Sequence, residues 1–205
     1  MKIIYGTTNR AKLELMKSVA DELNFELVGL DTTTDLPSID ESGKDPLENA
    51  CIKAAAYYGA FSAPVFSCDS GLYFDGLPDA LQPGTHIRRV GGSVLTDEQM
   101  TEYYSELSRR YGGKLVARYV NAICFIADAN TRFCRMDDSL ASDPFILASV
   151  AHEKRVKGFP LDPLSIDIAT GKYYYDLGKK SDDLAVVQGL RAFFKDALAE
   201  LVKRA

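Results

Sequence analysis

The sequence feature that most constrains the fold is a short apolar segment, residues 63–66, that runs directly into the polar stretch Ser67-Cys68-Asp69-Ser70-Gly71. An apolar run bounded by turn signals is typical of a buried strand, which predicts that Asp69 lies at a strand end. A carboxylate there suits a general base or a metal ligand, because rigid backbone holds it while it points into a loop-lined cleft. The alternative is a tight turn in which Asp69 bonds its own backbone and Gly71 supplies a positive φ.

Another strand opens the chain and leads through a polar loop into a helix. Residues 2–5 are mostly apolar and predict the strand, and apolar residues recur at helical spacing after the loop. Thr7, Thr8 or Asn9 can cap the helix, whose first turn leaves N–H groups without intrahelical partners. With Lys12 close by, the segment suits an anion, although the Walker A pattern is absent. A capped helix with a solvated lysine is the alternative.

A second helix follows Asp45, because Pro46 fits a first helical turn. Its predicted apolar stripe consists of Leu47, Cys51, Ala54 and Tyr58. Asn49 and Lys53 are four residues apart and share a different face, which places an amide and an ammonium together just beyond a loop that carries Glu41. The alternative for Lys53 is a solvated surface lysine.

The remaining chain predicts one further helix, a hairpin and a C-terminal helix. Thr96–Gln99 is a capping box for a helix that ends near Tyr111. Residues 115–127 and 132–134 are rich in strand formers and flank a turn, which predicts a hairpin, and residues 145–150 can pair further. The last helix starts at about Asp182, and its spacing predicts a mostly buried stripe of Leu184, Val187, Arg191, Phe194, Leu198 and Leu201.

Composition places the chain among compact proteins rather than membrane or nucleic-acid-binding ones. Its 205 residues suffice for one compact α/β unit, and 46% are hydrophobic and 26% charged. No apolar run approaches the roughly 20 residues that span a bilayer, and no signal peptide is recognisable, so we expect a cytoplasmic protein. The net charge of −5 argues against a broad surface for duplex nucleic acid. An anionic small ligand would need a local cationic cluster or a bridging divalent cation.

The four cysteines lack C-x-x-C spacing, and His86 and His152 are isolated from each other. The sequence therefore predicts neither a zinc site nor a disulfide framework. Cys51 and Cys124 have apolar neighbours, where a thiol behaves as a small core hydrophobe. Cys68 differs from them because it adjoins Asp69.

Four separate segments each offer one component of polyphosphate chemistry: the loop with Lys12, Glu41, Lys53 and Asp69. Cleavage of a nucleoside triphosphate needs cations to neutralise the phosphates, carboxylates to hold Mg²⁺, and a base to orient a water molecule. Together these segments favour a functional interpretation over the structural alternative that each of them has alone.

Six short motifs recur in one order along nearly the whole chain. They are T-x-N-x-x-K at Thr7, Asn9 and Lys12; E-S-G and E-N-A-x-x-K-A at Glu41–Gly43 and Glu48–Ala54; D-S-G-L at Asp69–Leu72; P-G and a following arginine at Pro83, Gly84 and Arg89; A-R at Ala117 and Arg118; and G-F-x-x-D-P at Gly158–Pro163. In this order and spacing the chain resembles the inosine/xanthosine triphosphate pyrophosphatases, also called house-cleaning non-standard purine NTP pyrophosphatases.

The resemblance implies a mixed α/β fold with a central elongated twisted mixed sheet, flanking helices and two lobes around a substrate cleft, in a single domain over residues 1–205. It implies Mg²⁺-dependent hydrolysis of non-standard purine nucleotides such as ITP, dITP and XTP to the monophosphate and pyrophosphate. The enzymes of this family are commonly homodimers, so the expected partners are a small nucleotide and a second copy of the chain, with no nucleic acid and no membrane.

The resemblance also assigns roles to individual residues. Asp69 and Lys53 are the expected catalytic residues, with Asp69 activating the water, and Glu41 and Asp69 are the expected metal ligands. The residues expected at the substrate are Thr7, Asn9, Lys12, Ser70, Gly71, Arg89, Phe159 and Asp162. Thr7, Asn9 and Lys12 would hold phosphates together with Lys53, and Phe159 and Asp162 would lie at the purine.

The chain departs from the family pattern at three places. Cys68 stands where a second aspartate usually precedes the catalytic one, and Leu161 stands where an aromatic residue is expected. The C-terminal lysine and serine-histidine-arginine triplet, which read the 6-oxo group of the base, correspond to Asp182 and to a Val-Val-Gln segment that ends with Val187 and Gln188. These departures put the base preference in question and leave the phosphate-binding residues largely intact.

Two alternatives to the pyrophosphatase interpretation stay open on the sequence. One is a non-catalytic nucleotide-binding relative, in which Cys68 marks a weakened metal site. The other is a different hydrolase on a related fold, such as a Maf-like enzyme or a phosphatase, which would release inorganic phosphate instead of pyrophosphate.

Overall fold

A computed structural model describes residues 1–33, 35–177 and 182–204, and gives the backbone alone at Ala11, Asp182, Asp183 and Leu184. The helices are α1 (Arg10–Glu22), α2 (Pro46–Phe61), α3 (Asp97–Arg110) and α4 (Asp182–Arg204). The strands are β1 (Lys2–Tyr5), β2 (Glu26–Val28), β3 (Val65–Phe74), β4 (Arg89–Val90), β5 (Ser93–Val94), β6 (Lys114–Asp128), β7 (Thr131–Arg135), β8 (Phe145–Ala148) and β9 (Ser165–Asp167).

Seven of these strands form one mixed sheet. Its order is β2-β1-β3-β6-β8-β9, and β7 pairs with β6. β1 runs parallel to β2 and β3, since α1 and α2 provide the crossovers that parallel neighbours require. β6 is antiparallel to β7 and to β8, and β8 is antiparallel to β9. The sheet confirms the predicted mixed α/β class, the hairpin and the further pairing of residues 145–148.

One compact unit comprises Met1–Ser70, Val120–Ala141 and Asp183–Ala205. Helices cover both faces of the sheet in this unit. On one face α1 and α4 pack on an aromatic core in which the rings of Tyr5 and Phe66 stack at 4.3 Å and Phe194 meets Phe66 edge-on. On the other face α2 packs on Val65. Because side chains alternate along a strand, Asp69 points to the same face as Val65, towards α2.

The second compact unit comprises Gly71–Tyr119 and Ser142–Asp182. Its core joins α3 to β8 and to the first part of β6, through side chains that include Met100, Tyr104, Leu115 and Phe145. α3 begins with the predicted capping box, in which Thr96 and Gln99 each bond the backbone of the other. Along the described parts of the chain, no helix combines the length and the apolar composition that crossing a bilayer requires.

Two expectations about local structure are wrong. Asp69 does not lie at a strand end, because β3 continues through the strand formers Leu72, Tyr73 and Phe74. The apolar stripe of α2 is also displaced: the fully covered residues are Ala50, Ala54 and Tyr57, while Leu47, Cys51 and Tyr58 are half-buried. The small side chains of Ala50 and Ala54 lie at the centre of the contact between α2 and the sheet.

The cysteines are also arranged in a way that their spacing does not predict. Cys51 on α2, Cys124 on β6 and Cys134 on β7 come together, with their sulfur atoms all within 4.8 Å of one another. Cys124 is fully buried, as the sequence predicts, whereas Cys51 is half-buried and Cys134 is exposed. Spacing rules detect ligands that are close in sequence, and these three belong to three separate elements.

Candidate active site

Asp69 lies on the part of β3 that extends beyond the end of the neighbouring strand β1. β1 pairs with β3 at Ile4 with Val65 and at Tyr5 with Phe66, and the chain then leaves the sheet at Gly6. Asp69 lies three residues beyond the last of these pairs, still within β3. The rigid backbone that holds Asp69 is therefore the interior of β3, and not the strand end that the sequence predicts.

Two donors fix the Asp69 carboxylate, and both come from α2. Lys53 Nζ donates to Oδ1 at 2.6 Å, and Asn49 Nδ2 donates to Oδ2 at 3.0 Å. The side chains of Lys53 and Asp69 are each only 12% exposed. This geometry excludes both structural alternatives, because Lys53 is not a solvated surface lysine and Asp69 does not bond its own backbone as a tight turn would require.

Glu41 is the second carboxylate at this lysine. Its Oε1 lies 3.4 Å from Lys53 Nζ, and its side chain is 43% exposed. The two acids thus differ in surroundings: Asp69 is enclosed and held at both oxygens, while Glu41 stands at the solvent-facing side of the same ammonium. The structure brings together three of the residues that the sequence singled out from segments far apart in the chain.

Asn49 connects this cluster to the loop before α2, and its importance is missing from the predicted site. It is 1% exposed. Its Oδ1 accepts from the N–H of Gly43 at 2.8 Å while its Nδ2 faces Asp69. A Cβ at Gly43 would stand 2.6 Å from that same Oδ1, so the loop requires glycine here. The E-S-G and E-N-A motifs are therefore two halves of one hydrogen-bonded structure.

The loop between β1 and α1 passes beside the segment that leads to Asp69. The Ser67 hydroxyl donates to the Gly6 carbonyl at 3.2 Å, and the Gly6 N–H donates to the Phe66 carbonyl at 2.7 Å. A side chain at Gly6 would collide with Ser67 Oγ and with the ring of Tyr57. The loop backbone can therefore approach β3 closely only because residue 6 is glycine.

Asn9, one of the candidate caps in the sequence, caps α1. Its Oδ1 accepts from the Lys12 N–H at 3.3 Å, and its own N–H donates to Thr7 Oγ1 at 3.2 Å. The capped turn keeps the remaining N–H groups of the helix start directed outwards, with the half-buried Lys12 beside them. Capping and anion binding are compatible, because a helix start offers several N–H groups without intrahelical partners.

Cys68 faces away from this cluster. It packs with Tyr5 and Phe66 against the aromatic core, on the face opposite to Asp69. Burial raises the pKa of the Cys68 thiol above its usual value, with Lys12 and Tyr5 opposing the shift. Burial likewise raises the pKa of Tyr5, and Cys68 adds to that shift. The side chain is consequently a neutral thiol at physiological pH and does not replace a carboxylate ligand.

Ser70 is half-buried on β3 and belongs to the first compact unit, whereas the other remaining candidate residues belong to the second. Gly71 lies against the backbone of Gly84, which pairs with Leu72 through two hydrogen bonds of 2.9 and 3.1 Å. A Cβ at Gly71 would stand 2.8 Å from the Tyr73 ring and 3.2 Å from the Gly84 carbonyl. The D-S-G-L and P-G motifs therefore meet as a bridge. Gly71 is needed there for close packing, and Gly84 for its positive φ of 54°.

Phe159 and Asp162 line one pocket of about 240 Å³, together with Ile87, Arg88, Met100, Tyr119, Gly158, Pro160 and Leu161. The pocket brings together the two residues that were expected at a purine. Phe159 is 38% exposed, whereas Leu161 is 4% exposed and belongs to the core of this unit. An aliphatic side chain at residue 161 thus serves packing. Arg89 is exposed on β4, and it is its neighbour Arg88 that lines the pocket.

Asp97 fastens the loop that carries Phe159, a role that the sequence analysis missed. Its Oδ1 accepts from Arg88 at 2.7 Å and its Oδ2 accepts from the Gly158 N–H at 2.7 Å. The Gly158 N–H and the Arg88 guanidinium lower the pKa of Asp97. In the sequence, Asp97 is an acid at the first position of a capped helix. An acid is common there because it interacts favourably with the helix dipole, so its residue type gave no sign of a second role.

Val187 and Gln188, at the C-terminal departure from the family pattern, lie on α4. Val187 is half-buried and packs against the aromatic core of the first unit, as the helical spacing predicted. Gln188 is exposed. The side chain of Asp182 lies outside the described part of the structure.

The model of the Ham1 family matches residues 3–164. The chain belongs to the Ham1 family. Relatives of this family member include the dITP/XTP pyrophosphatase of Exiguobacterium sp., 28% identical over 203 residues that cover 98% of this chain and 97% of the relative. Another is the dITP/XTP pyrophosphatase of Malacoplasma penetrans, 34% identical over 62% of this chain and 64% of the relative. The family resemblance drawn from the six motifs is confirmed.

Solved structures of the family share the fold. The HAM1 protein of Coxiella burnetii superposes with a TM-score of 0.73 over 100% of both chains at 21% identity. The dITP/XTP pyrophosphatase of Mycobacterium abscessus gives a TM-score of 0.70 over 98% of this chain and 97% of its own, at 22% identity. At these identities the likeness establishes the architecture.

Proposed function

We propose that this Ham1 family member hydrolyses nucleoside triphosphates, including non-standard purine nucleotides, to the monophosphate and pyrophosphate. The observation that carries the proposal is the Asp69 carboxylate, which Lys53 and Asn49 hold at 2.6 and 3.0 Å while Glu41 contacts the same lysine. Phosphoryl transfer depends on positioning and on charge stabilisation, and these groups supply both. The name dITP/XTP pyrophosphatase, which its relatives carry, supports the same reaction.

In the proposed reaction a water molecule attacks the α-phosphorus and gives its proton to Asp69. The bond between the α-phosphorus and the oxygen that bridges the α- and β-phosphates breaks, and pyrophosphate leaves with the electron pair of that bond. Asn49 keeps the carboxylate in one orientation, because its own amide is pinned by Gly43. Lys53 and the donors of the loop before α1, with Lys12, bind phosphate oxygens.

The chemistry of the donors fits a divalent cation. Glu41 and Asp69 offer carboxylate oxygens on either side of one ammonium, and Mg²⁺ prefers oxygen ligands and needs only one or two protein carboxylates. We propose that these two residues hold Mg²⁺, which when bound neutralises phosphate charge. Lys53 supplies positive charge between the same two acids.

The test of the function is a nucleotide screen of the chain and its Asp69→Asn variant, scored by product. Loss of a general base costs about 10²–10⁴-fold in rate, so we expect that decrease in Asp69→Asn with unchanged circular dichroism. Asp21→Asn, at an exposed position on α1, is the matched control and should retain the full rate. A folded Asp69→Asn variant with full activity would show that Asp69 is not the general base.

The product identifies the reaction class. Pyrophosphate release supports the proposal, whereas inorganic phosphate would indicate a phosphatase or Maf-like activity. Nucleotide binding without any product would indicate a non-catalytic relative. Cys68 gives this last alternative no support, because its thiol faces the core instead of Asp69.

We further propose that residues 1–205 act as a single catalytic domain in a cytoplasmic homodimer, with Mg²⁺ as the metal. The proposal follows from the family membership and from the ordinary composition of the chain. Size-exclusion chromatography with light scattering tests the dimer, and the rate with different divalent ions tests the metal.

A further inference from the structure

Three cysteine side chains form a cluster that the proposed hydrolysis does not use. Cys51 comes from α2, Cys124 from β6 and Cys134 from β7, and all three belong to the first compact unit. Cys124 and Cys134 are direct partners across the β6–β7 hairpin, which brings their backbones to adjacent positions. Cys51 completes the group from the helix that packs on this hairpin.

The spacing of the sulfur atoms matches that of a metal–thiolate centre. Cys51 Sγ and Cys134 Sγ are 3.7 Å apart, and all three sulfurs lie within 4.8 Å of one another. Zn–S bonds of about 2.3 Å in tetrahedral geometry place sulfurs about 3.8 Å apart. A disulfide bond is about 2.05 Å long, so the observed contact joins separate thiols. The other two sulfur separations, at most 4.8 Å, have to shorten by no more than about 1 Å for the three thiolates to bind one ion.

The chemistry of the cluster selects a thiophilic metal. Sulfur is its only ligand type, whereas Mg²⁺ and Ca²⁺ require oxygen. Arg132 is near enough for its charge to act on Cys51 and Cys134, and it offsets the negative charge that three thiolates around a divalent ion would carry. Access is direct, because Cys134 is exposed and Cys51 is half-buried.

We propose that Cys51, Cys124 and Cys134 form a binding site for a thiophilic metal ion of the Zn²⁺ class, with water as the fourth ligand on the exposed side. Binding forms three metal–sulfur bonds, and the protons of the thiols pass to the solvent. No change of oxidation state is involved. The ion links α2 to the β6–β7 hairpin and stabilises the folded chain, because the unfolded chain does not hold the three sulfurs together.

The experiment uses the full chain, reduced with a phosphine and freed of metal with a chelator that is then removed. Co²⁺ is titrated first, since its thiolate complexes give an ultraviolet charge-transfer band, and Zn²⁺, which such sites bind more tightly, is then used to displace it. We expect one equivalent per chain, a rise in the melting temperature with Zn²⁺, and neither effect with Mg²⁺.

Three variants separate this site from adventitious binding. Cys134→Ser and Cys51→Ser each remove one ligand, at an exposed and at a half-buried position, and we expect both to stay folded because substitutions outside the core usually change stability little. Each should weaken binding tenfold or more, because loss of a group that only orients a ligand already costs about 10–100-fold. Cys68→Ala is the matched control, since it removes the fourth cysteine and leaves the cluster intact.

A charge-transfer band that appears in the wild type and in Cys68→Ala but is lost in Cys134→Ser and in Cys51→Ser supports the site. Absence of the band in the fully reduced wild type overturns the proposal. So does a band of equal strength in folded Cys134→Ser or Cys51→Ser, which would show that the metal binds elsewhere. These readouts involve no nucleotide, so failure of the metal site and failure of the proposed hydrolysis are distinguishable.

Discussion

At the scale of single residues, the feature that organises the candidate active site is one ammonium between two carboxylates. Lys53 contacts Asp69 at 2.6 Å and Glu41 at 3.4 Å. Surface pairs contribute little to stability, yet this lysine is only 12% exposed and pairs with an equally enclosed acid. Holding such groups so close together suits a site that must later receive a polyanion and a cation.

Glu41→Gln tests the role of the second carboxylate. Glutamine keeps the shape of the side chain but loses the charge, so a metal ligand of this kind should be weakened. We expect that saturation of the rate requires a higher Mg²⁺ concentration in this variant, and that a chelator abolishes activity in both proteins until Mg²⁺ is restored.

The control for this experiment is Glu153→Gln, at an exposed position in the second compact unit. Its Mg²⁺ dependence should equal that of the wild type. If the Mg²⁺ dependence of Glu41→Gln also stays unchanged, Glu41 has a different role and the metal assignment is wrong.

The sequence predicted those parts of the candidate site that can be recognised from the type of residue alone. Lys53 and Asp69 could be proposed because charged groups recurred near helix and strand signals. Asn49 was placed on the correct face of α2, but its burial was not predicted, because periodicity gives a direction and not the depth of the neighbouring surface. The position of Asp69 within β3 depends on where β1 ends, which is a property of strand pairing rather than of local sequence.

At the scale of elements, the two flanks of α2 contribute side chains to two different sites, the candidate active site and the cysteine cluster. Ala50 and Ala54 form the buried centre of its contact with the sheet. With 3.6 residues per turn, Asn49 and Lys53 fall on one flank of this centre and Cys51 falls on the other. The helix therefore presents its polar pair to Asp69 and its thiol to the hairpin, and a shift of α2 would disturb both.

A close contact of α4 provides a second test at this scale. Gly189 lies in the helix interior, and a Cβ there would overlap the carbonyl of Ser139. Glycine inside a helix normally costs about 0.5–1 kcal/mol relative to alanine, so Gly→Ala usually stabilises. At Gly189 the overlap is with backbone that cannot rotate away, and overpacking costs about 1–3 kcal/mol.

We therefore expect Gly189→Ala to lower the free energy of unfolding by about 1–3 kcal/mol in urea denaturation. Gly59→Ala in α2 is the matched control, because a Cβ at that exposed glycine meets nothing within 4 Å. It should raise stability by about 0.4–1 kcal/mol. Equal effects of the two substitutions would contradict the close approach of α4 to the turn at Ser139.

At the scale of the whole molecule, the fold was far more predictable than its details. Strands that alternate with capped helices indicate a mixed α/β sheet, since parallel neighbours need helical crossovers. The cysteine cluster was not predictable, because the pairing of Cys124 with Cys134 depends on hairpin register and the approach of Cys51 depends on tertiary packing. Contacts of this kind become visible only when separate elements are assembled.

The family resemblance adds an expectation about the complete reaction: the enzyme should favour a purine with a 6-oxo group. Family members read that group with donors near the C-terminus, and this chain has Val187 and Gln188 in the corresponding segment. Valine has no donor, and Val187 packs against the core. Gln188 is exposed and its amide can both donate and accept, so it does not distinguish a 6-oxo from a 6-amino purine.

We therefore expect discrimination for ITP and XTP over ATP, which carries a 6-amino group, to stay below about 10³-fold, because apolar shape alone gives about 10–200-fold and buried polar recognition gives roughly 10⁴-fold. The measurement is kcat/KM for ITP, XTP, GTP, ATP and their deoxy forms at one Mg²⁺ concentration. Gln188→Ala, measured on the same nucleotides, shows whether the exposed amide contributes. A preference beyond about 10³-fold would mean that other residues restore the missing donors, and the interpretation of α4 as a helix that has lost base recognition would be wrong.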